Sequence, residues 1–179
     1  MRSDAERNRA RLLEAAVELI LEVGGEPTRE AVAARAGVGI GTLYRHFPDQ
    51  PSLLRAVVHH TLDRSIAAAE AALSDAPDGF TALRRYMHAA VDAGLGVVNL
   101  IYPLIDPPHA DLRARADSAI RAIIDRGRQE GQLRSDVSPA DIALATIRFC
   151  RPLAIGWSLD EERALAHRHI DVYLNGLHT

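Results

Sequence analysis

The sequence contains no lysine, so all 21 of its basic side chains are arginines. We attribute this bias to codon usage rather than to function, because it extends over the whole chain. Cys150 is the only cysteine, which excludes an intramolecular disulfide and a cysteine-based metal site. Long apolar runs are also missing, since none approaches the roughly 20 residues that a membrane-spanning helix requires. The charged N-terminal residues are atypical of a signal peptide, so we expect a cytoplasmic protein that does not associate with a membrane.

Charge and composition place few restrictions on what the protein binds. Hydrophobic residues make up 47% of the chain and charged residues 25%, which is typical of a soluble globular protein and excludes general disorder. The formal net charge is only −3, and within residues 1–60 eight arginines balance eight acidic residues. The distribution is more informative, because arginines collect at the N-terminus and around residues 28–47. These are Arg2, Arg7, Arg9 and Arg11, then Arg29, Arg35, Arg45 and Arg55.

Apolar residues recur with a helical period, and no segment shows the alternation typical of a β-strand. We predict a first helix over residues 5–23, with Glu14, Glu18 and Glu22 on one face. A long helix is predicted over residues 51–74, and four further helical patterns follow. Ser138 and Ser158 are the predicted N-caps of the last two helices. These two helices are more apolar than one packing face requires, which predicts a homodimer formed through them.

Residues 28–47, TREAVAARAGVGIGTLYRHF, contain two short helical patterns separated by a glycine turn. Thr28 is a predicted N-cap, Gly37 makes the turn, and Leu43 and Phe47 are predicted core residues. A helix-turn-helix requires this arrangement of a supporting helix, a tight turn and a second helix that enters the major groove of DNA. The segment therefore predicts a DNA-binding protein, and we expect the acidic face of the first helix to point away from the phosphates.

The same segment resembles the N-terminal signature of TetR-family transcriptional regulators, in its glycine turn, GTLY core and histidine-aromatic pair. The resemblance covers the first 60 residues. It implies an all-α fold with a three-helix helix-turn-helix DNA-binding domain over residues 1–50 and a helical ligand-binding and dimerisation domain over residues 51–179, of which 51–74 form a connecting helix. It further implies a dimeric repressor that a small, largely apolar effector releases from a double-stranded DNA operator, with no cofactor, catalytic residue or metal.

The resemblance also assigns the DNA contacts. It places Thr28 and Arg29 near the DNA backbone, Gly39, Ile40, Gly41 and Arg45 opposite bases, and Thr42, Tyr44 and His46 on phosphates. These assignments agree with the chemistry, because hydroxyl groups donate to phosphate oxygens, arginine forks onto guanine, and an apolar side chain such as Ile40 suits a thymine methyl. For Tyr44 the alternative is packing alone, and for Arg45 it is a solvated helix face.

Two positions depart from the family pattern. Gly39 stands where the family often has a serine, so the recognition helix begins with a weaker cap. Gln50 stands where a lysine is typical, which removes a phosphate contact and lowers the salt dependence of binding by about one unit of slope.

Small residues between Ala89 and Gly96 predict a cavity in the C-terminal part. The candidate ligand-binding residues are His88, Asn99, Tyr102, Arg148, Phe149 and Trp157. Alternatives remain open for some of them, because His88 and Asp92 also suit a surface pair and Arg148 also suits the rim of a dimer. His167 and His169 lie two residues apart and cannot share a helix face, so no metal site is predicted.

Two other functions are alternatives to a transcriptional regulator. A helical-bundle enzyme is disfavoured, because we find no Glu-x-x-His pairs, nucleophile elbow, phosphate loop or H-E-x-x-H motif. A helical protein-interaction module that no longer binds DNA stays open, because Gln50, Gly39 and the neutral N-terminal charge all weaken the case for DNA binding.

Overall fold

A computed structural model describes residues 2–104, 110–153 and 156–179 of the chain. Within these ranges the chain forms only helices and a single isolated β-bridge between Leu133 and His178, so the all-α prediction is confirmed. No helix in these ranges combines the length and apolarity that a membrane span needs. The helices are α1 (Arg2–Val23), α2 (Arg29–Ala36), α3 (Ile40–His46), α4 (Gln50–Asp75), α5 (Gly79–Asp92), α6 (Gly96–Ile101), a 3-10 turn (Tyr102–Leu104), α7 (Ala110–Gln129), α8 (Pro139–Phe149) and α9 (Leu159–Asn175).

The predicted N-caps form as the sequence indicates. The hydroxyl of Thr28 accepts a hydrogen bond from the backbone N–H of Ala31 at 3.2 Å and so starts α2. Helices α4, α8 and α9 each begin with a capping box, in which the side chains of the N-cap residue and of the third helical residue satisfy each other's backbone N–H groups. The first helix begins at Arg2 rather than at residue 5, because no glycine or proline interrupts that stretch.

The apolar side chains form two clusters that meet along α4. The first contains residues of α1, α2, α3, the N-terminal half of α4 and α6, and the second contains residues of α4, α5, α7, α8 and α9. Leu62 of α4 packs against both clusters. The first cluster includes Val58 and so continues past residue 50, whereas the domain boundary placed there stays a prediction.

A turn between α5 and α6 brings backbone into direct contact with two other helices. Gly94 has φ +75°, and a Cβ there would lie 2.6 Å from Cγ1 of Val17 in α1. A Cβ on Gly96 would lie 2.0 Å from the carbonyl oxygen of Cys150, at the end of α8. Only glycine fits at these two positions, so the turn packs directly against the Val17 side chain of α1 and against the backbone at the end of α8.

Candidate nucleic-acid interface

The turn between α2 and α3 sets the position of the second helix. Gly37 has φ 64°, and its N–H donates to the carbonyl of Ala34 at 3.1 Å. The N–H of Val38 donates to the carbonyl of Ala33 at 3.1 Å, so the carbonyl groups at the end of α2 are satisfied within the turn. Glycine takes this left-handed conformation without the cost of roughly 1 kcal/mol or more that a Cβ would add.

One side of α3 is buried. Leu43 is fully buried and Phe47 is 2% exposed, as predicted for core residues. They pack in the first cluster with Val32 and Ala36 of α2 and with Leu12 of α1. Since α3 has only two turns, burial of this side directs its remaining side chains outward.

The opposite side of α3 faces solvent. Ile40 is 39% exposed and Tyr44 is 40% exposed, and Arg45 is exposed as well. A Cβ built on Gly39 or Gly41 would meet nothing within 4 Å, so the first turn of α3 presents open backbone. We call this side of the molecule the recognition surface; it comprises Thr28, Arg29, Gly39, Ile40, Gly41, Thr42, Tyr44, Arg45 and His46.

Tyr44 is held by two residues of α2. The guanidinium of Arg29 lies 4.6 Å from the centre of the Tyr44 ring and also donates to the carbonyl of Pro48 at 3.0 Å. The Tyr44 hydroxyl donates to Oε1 of Glu30 at 3.4 Å. Arg29 therefore positions Tyr44, and the Tyr44 hydroxyl is hydrogen bonded to Glu30 within the protein. The sequence did not indicate either contact, because both depend on the crossing of α2 and α3.

Arg45 folds back along its own helix. Its Nη2 donates to the hydroxyl of Thr42 at 3.0 Å, one turn earlier. This bond uses one of the five donors of the guanidinium, and the others remain available on the exposed side of α3.

Arg35 lies near the turn but is engaged by α1. It donates to Glu22 at 2.7 and 2.9 Å and to Glu18 at 3.3 Å. These hydrogen bonds raise the pKa of Arg35 and lower that of Glu22. The acidic face of α1, which we expect to point away from the phosphates, thus also holds α2 in place, because Glu18 and Glu22 both bind Arg35.

Gln50 links two segments of the helix-turn-helix. Its Nε2 donates to the carbonyl of Pro27 at 2.8 Å, which joins the first residue of α4 to the segment that precedes α2. The amide is therefore used inside the protein. This structural role fits the departure from lysine that the sequence showed at this position.

The residues expected to bind a ligand do not meet at one cavity. An apolar cavity of about 400 Å³ lies among α4, α5, α6, α7 and α8, and none of the six candidates is among the residues that line it. The buried Tyr86, rather than His88 two residues further along α5, lines this space. The lining residues are Leu62, Ser65, Tyr86, Leu95, Val98, Ala116, Asp117, Ile120, Ala140, Ala143, Leu144 and Ile147.

The candidates instead lie at separate places. His88 hydrogen bonds to His167 and Asp171 of α9, so it does not form the surface pair with Asp92 either. Phe149 packs edge-on against Tyr173 of α9 at 5.4 Å. The remaining candidates are Asn99 and Arg148, which are both exposed, Trp157, which is 46% exposed beside a wide surface cleft next to α1, and Tyr102, whose side chain lies outside the described residues.

A buried three-helix core that presents a short helix to solvent after a glycine turn defines the helix-turn-helix class of DNA-binding proteins. Residues 12–57 match the family described as bacterial regulatory proteins, tetR family. The transcriptional repressor LfrR of Mycolicibacterium smegmatis is 35% identical over 130 residues, which span 70% of this chain and 67% of LfrR. An HTH-type transcriptional regulator of Staphylococcus aureus (strain USA300) is 44% identical over 64 residues, 35% of each chain.

Solved structures agree over nearly the whole length. A TetR transcriptional regulator from Streptomyces coelicolor is 28% identical with a TM-score of 0.70, over 95% of this chain and 98% of that one. A TetR transcription regulatory protein from Mycobacterium vanbaalenii is 28% identical with a TM-score of 0.68, over 99% of both chains. The chain therefore belongs to the TetR family of transcriptional regulators, and it is a regulator rather than an enzyme.

Proposed function

We propose that the protein is a homodimeric repressor that leaves its operator when a small, largely apolar ligand enters the cavity among α4, α5, α7 and α8. The recognition surface carries this proposal, because Tyr44, Arg45 and the open glycines of α3 face solvent on a helix whose other side is buried in the core. The name of LfrR, a transcriptional repressor, supports repression rather than activation.

The recognition surface divides into two kinds of DNA contact. Arg45 and Ile40 are exposed side chains of α3, and their proposed partners are guanine and a thymine methyl, respectively. Thr28, Thr42 and Tyr44 carry hydroxyl groups and His46 an imidazole, which suit phosphate oxygens and carry no sequence information. Gly39 and Gly41 allow the backbone of α3 to approach the DNA closely.

Exposed apolar residues on α8 and α9 support a dimer. Leu144 of α8 is 58% exposed and Val172 of α9 is 72% exposed. Large exposed apolar side chains on neighbouring helices are typical of a protein-protein interface. A two-fold dimer formed there places two recognition helices to read successive major grooves, about 34 Å apart.

The residues that line the cavity restrict the chemical class of the ligand. Its lining is apolar except for Ser65, Tyr86 and Asp117. Burial raises the pKa of Tyr86, opposed in part by its hydrogen bond to Ser65, so the phenol stays neutral and is available to one polar group on a ligand. Leu144 lines the cavity and also belongs to the proposed dimer surface, so a ligand there acts on the interface directly.

A ligand in this cavity would also act on the DNA-binding helices. Leu62 and Ser65 reach the cavity from α4, whose first turns belong to the same core as α3. In the dimer, the two recognition surfaces must be spaced to fit the operator. A ligand that binds a dimer with the wrong spacing more tightly than one with the right spacing shifts the dimers away from the form that binds the operator, to the extent that its affinities for the two forms differ.

Gel-shift titration with the DNA that flanks the protein's own gene tests the proposal. Tyr44→Ala should weaken binding about equally for all DNA sequences, whereas Arg45→Ala should also relax the sequence preference. Arg121→Ala, an exposed arginine on α7, is the matched control and should change little. A folded dimer that binds no such fragment in a salt-sensitive way would exclude the repressor and favour a helical interaction module without DNA binding.

A further inference from the structure

A row of ionisable side chains joins α5 to α9, away from both the recognition surface and the cavity. Arg84, His88 and Asp92 are spaced by four residues and share one face of α5, and His167 and Asp171 do the same on α9. Arg84 lies 2.9 Å from Oδ1 of Asp171. His88 Nε2 lies 3.0 Å from the same oxygen, and His167 Nε2 lies 3.2 Å from Oδ1 of Asp92. We call these five residues the histidine ladder.

The two imidazoles of the histidine ladder meet through their Nδ1 atoms, which lie 2.7 Å apart. The rings are nearly parallel, with an angle of 22° between their planes and 4.9 Å between their centres. This distance is that of a hydrogen bond, so one Nδ1 donates a proton and the other accepts it. The direct contact between His88 and His167 thus depends on a proton between them.

Hydrogen-bond accounting gives the number of protons. An ionised carboxylate only accepts, so both Nε2 atoms must carry a proton to bond Asp171 and Asp92. The Nδ1–Nδ1 contact holds one more proton, because two would clash and none would leave two lone pairs facing each other. Two neutral imidazoles carry two protons in total, and the geometry requires three. A pair of histidines that makes all three of these hydrogen bonds therefore carries one positive charge.

The charges around the pair match this state. Arg84 and Asp92 face it from α5 and Asp171 faces it from α9, and together with one proton on the pair their formal charges cancel. Arg163 lies one turn before His167 on α9 and pairs with Asp160 at 3.6 Å. From the end of α8, the partly buried Cys150 thiol stays uncharged, because desolvation, with a smaller contribution from Asp92, raises its pKa to about 12.

We propose that His88 and His167 bind one proton between them and that this shared proton fastens α9 to α5 only within a limited pH range. A second proton places two N–H groups against each other, and loss of the shared proton breaks either the ring-ring bond or one bond to a carboxylate. Docking of α9 is therefore strongest at an intermediate pH and weakens when the pair either gains a second proton or loses the shared one. A matching effect on the dimer rests on the proposed function, whereas the proton site does not.

Nitrogen-15 NMR of the imidazole rings in the full chain tests the proposal directly. Across pH 5 to 9, His88 and His167 should titrate together in two steps, because each proton affects both rings. His88→Gln should convert the titration of His167 into a single step, and His167→Gln should do the same for His88. His169→Gln removes an exposed imidazole on the other side of α9 and should leave both curves unchanged. Independent single-step curves in the unmodified protein would overturn the proposal.

Urea unfolding at one fixed protein concentration gives a second readout. The unfolding constant of His88→Gln should exceed that of the unmodified protein by roughly three- to tenfold near neutral pH, since partly exposed charged hydrogen bonds are lost. This ratio should fall on both the acidic and the alkaline side. A ratio that is constant, or that changes in one direction only, would indicate ordinary histidine-carboxylate pairs and contradict the shared proton. Should the variants not fold, the NMR titration of the unmodified protein still decides, and neither measurement involves DNA.

Discussion

Glu30 is an acidic side chain that hydrogen bonds to the Tyr44 hydroxyl on the recognition surface, and removal of its charge tests the proposed DNA contact. The Tyr44 hydroxyl donates to Oε1 of Glu30 at 3.4 Å. If the same hydroxyl binds a phosphate in the complex, the carboxylate of Glu30 lies close to a second negative charge. Glu30→Gln keeps the shape of the side chain and an acceptor for Tyr44 but removes the repulsion.

The size of this repulsion follows from the geometry. With a hydrogen bond of about 2.7 Å from Tyr44 to the phosphate, the two negatively charged oxygens lie about 5 Å apart. Their repulsion is about 0.8 kcal/mol at the dielectric constant of water, and we use this lower value because Glu30 is exposed. Glu30→Gln should then tighten DNA binding about fourfold for each recognition surface, or roughly tenfold for a dimer with two of them after screening by salt.

Fluorescence anisotropy with labelled operator DNA measures this change. The gain should be largest near 50 mM salt and nearly vanish at 1 M, where the Debye length is about 3 Å. Glu70→Gln, an exposed acid on α4, removes the same charge far from α3 and serves as the control. Weaker or unchanged binding by Glu30→Gln, with Glu70→Gln also unchanged, would show that Tyr44 does not bind a phosphate beside Glu30.

Three further substitutions test other parts of the structure. Gln50→Lys removes the amide that donates to Pro27 and adds a cation at the start of α4. In anisotropy titrations the slope of log affinity against log salt concentration should therefore steepen by about 0.9 per subunit. An unchanged slope would contradict a contact between a DNA phosphate and the side chain at position 50. Gly94→Ala should lower the free energy of unfolding in urea by about 2 to 4 kcal/mol, because the residue has a positive φ and its Cβ clashes with α1. The control Gly24→Ala has φ 70° but open space around it, so it should lower this free energy by only about 1 to 2 kcal/mol. Equal losses for the two variants would exclude the clash. Asp78→Ala should lower the free energy of unfolding by about 1 kcal/mol, because the N-cap of α5 is lost. Hydrogen bonds from Thr81 lower the pKa of Asp78, so this difference should be complete above about pH 4 and disappear as the pH falls through the lower folded-state value; a difference that persists in acid would argue against the cap.

The local features of the fold could be predicted from the sequence. Thr28, Ser138 and Ser158 cap helices because the cap bond joins residues three apart, and that spacing is visible in the chain. The glycine turn and the burial of Leu43 followed from spacing in the same way. The resemblance of residues 28–47 to a known family then supplied the expected fold class.

Contacts between helices could not be predicted in this way. Glu18 and Glu22 share a face, as their spacing requires, but only the angle between α1 and α2 places Arg35 between them. The cavity depended on which side of α5 turns inward, and His88 and Tyr86, which are two residues apart, lie on nearly opposite sides of that helix. Spacing along a single helix contains no information about its partner, so the assignment of the pocket residues rested on volume alone.

The glycine turn between α5 and α6 packs tightly against α1 and against the end of α8. Side chains at a helix contact can change rotamer and so absorb a small displacement, but Gly94 and Gly96 offer none to do so. This one turn therefore lies in close contact with Val17 on one side and with the carbonyl of Cys150 on the other. The first helix, which belongs to the same core as α3, and the end of α8 thus share a short rigid connection, through which a displacement at one can reach the other.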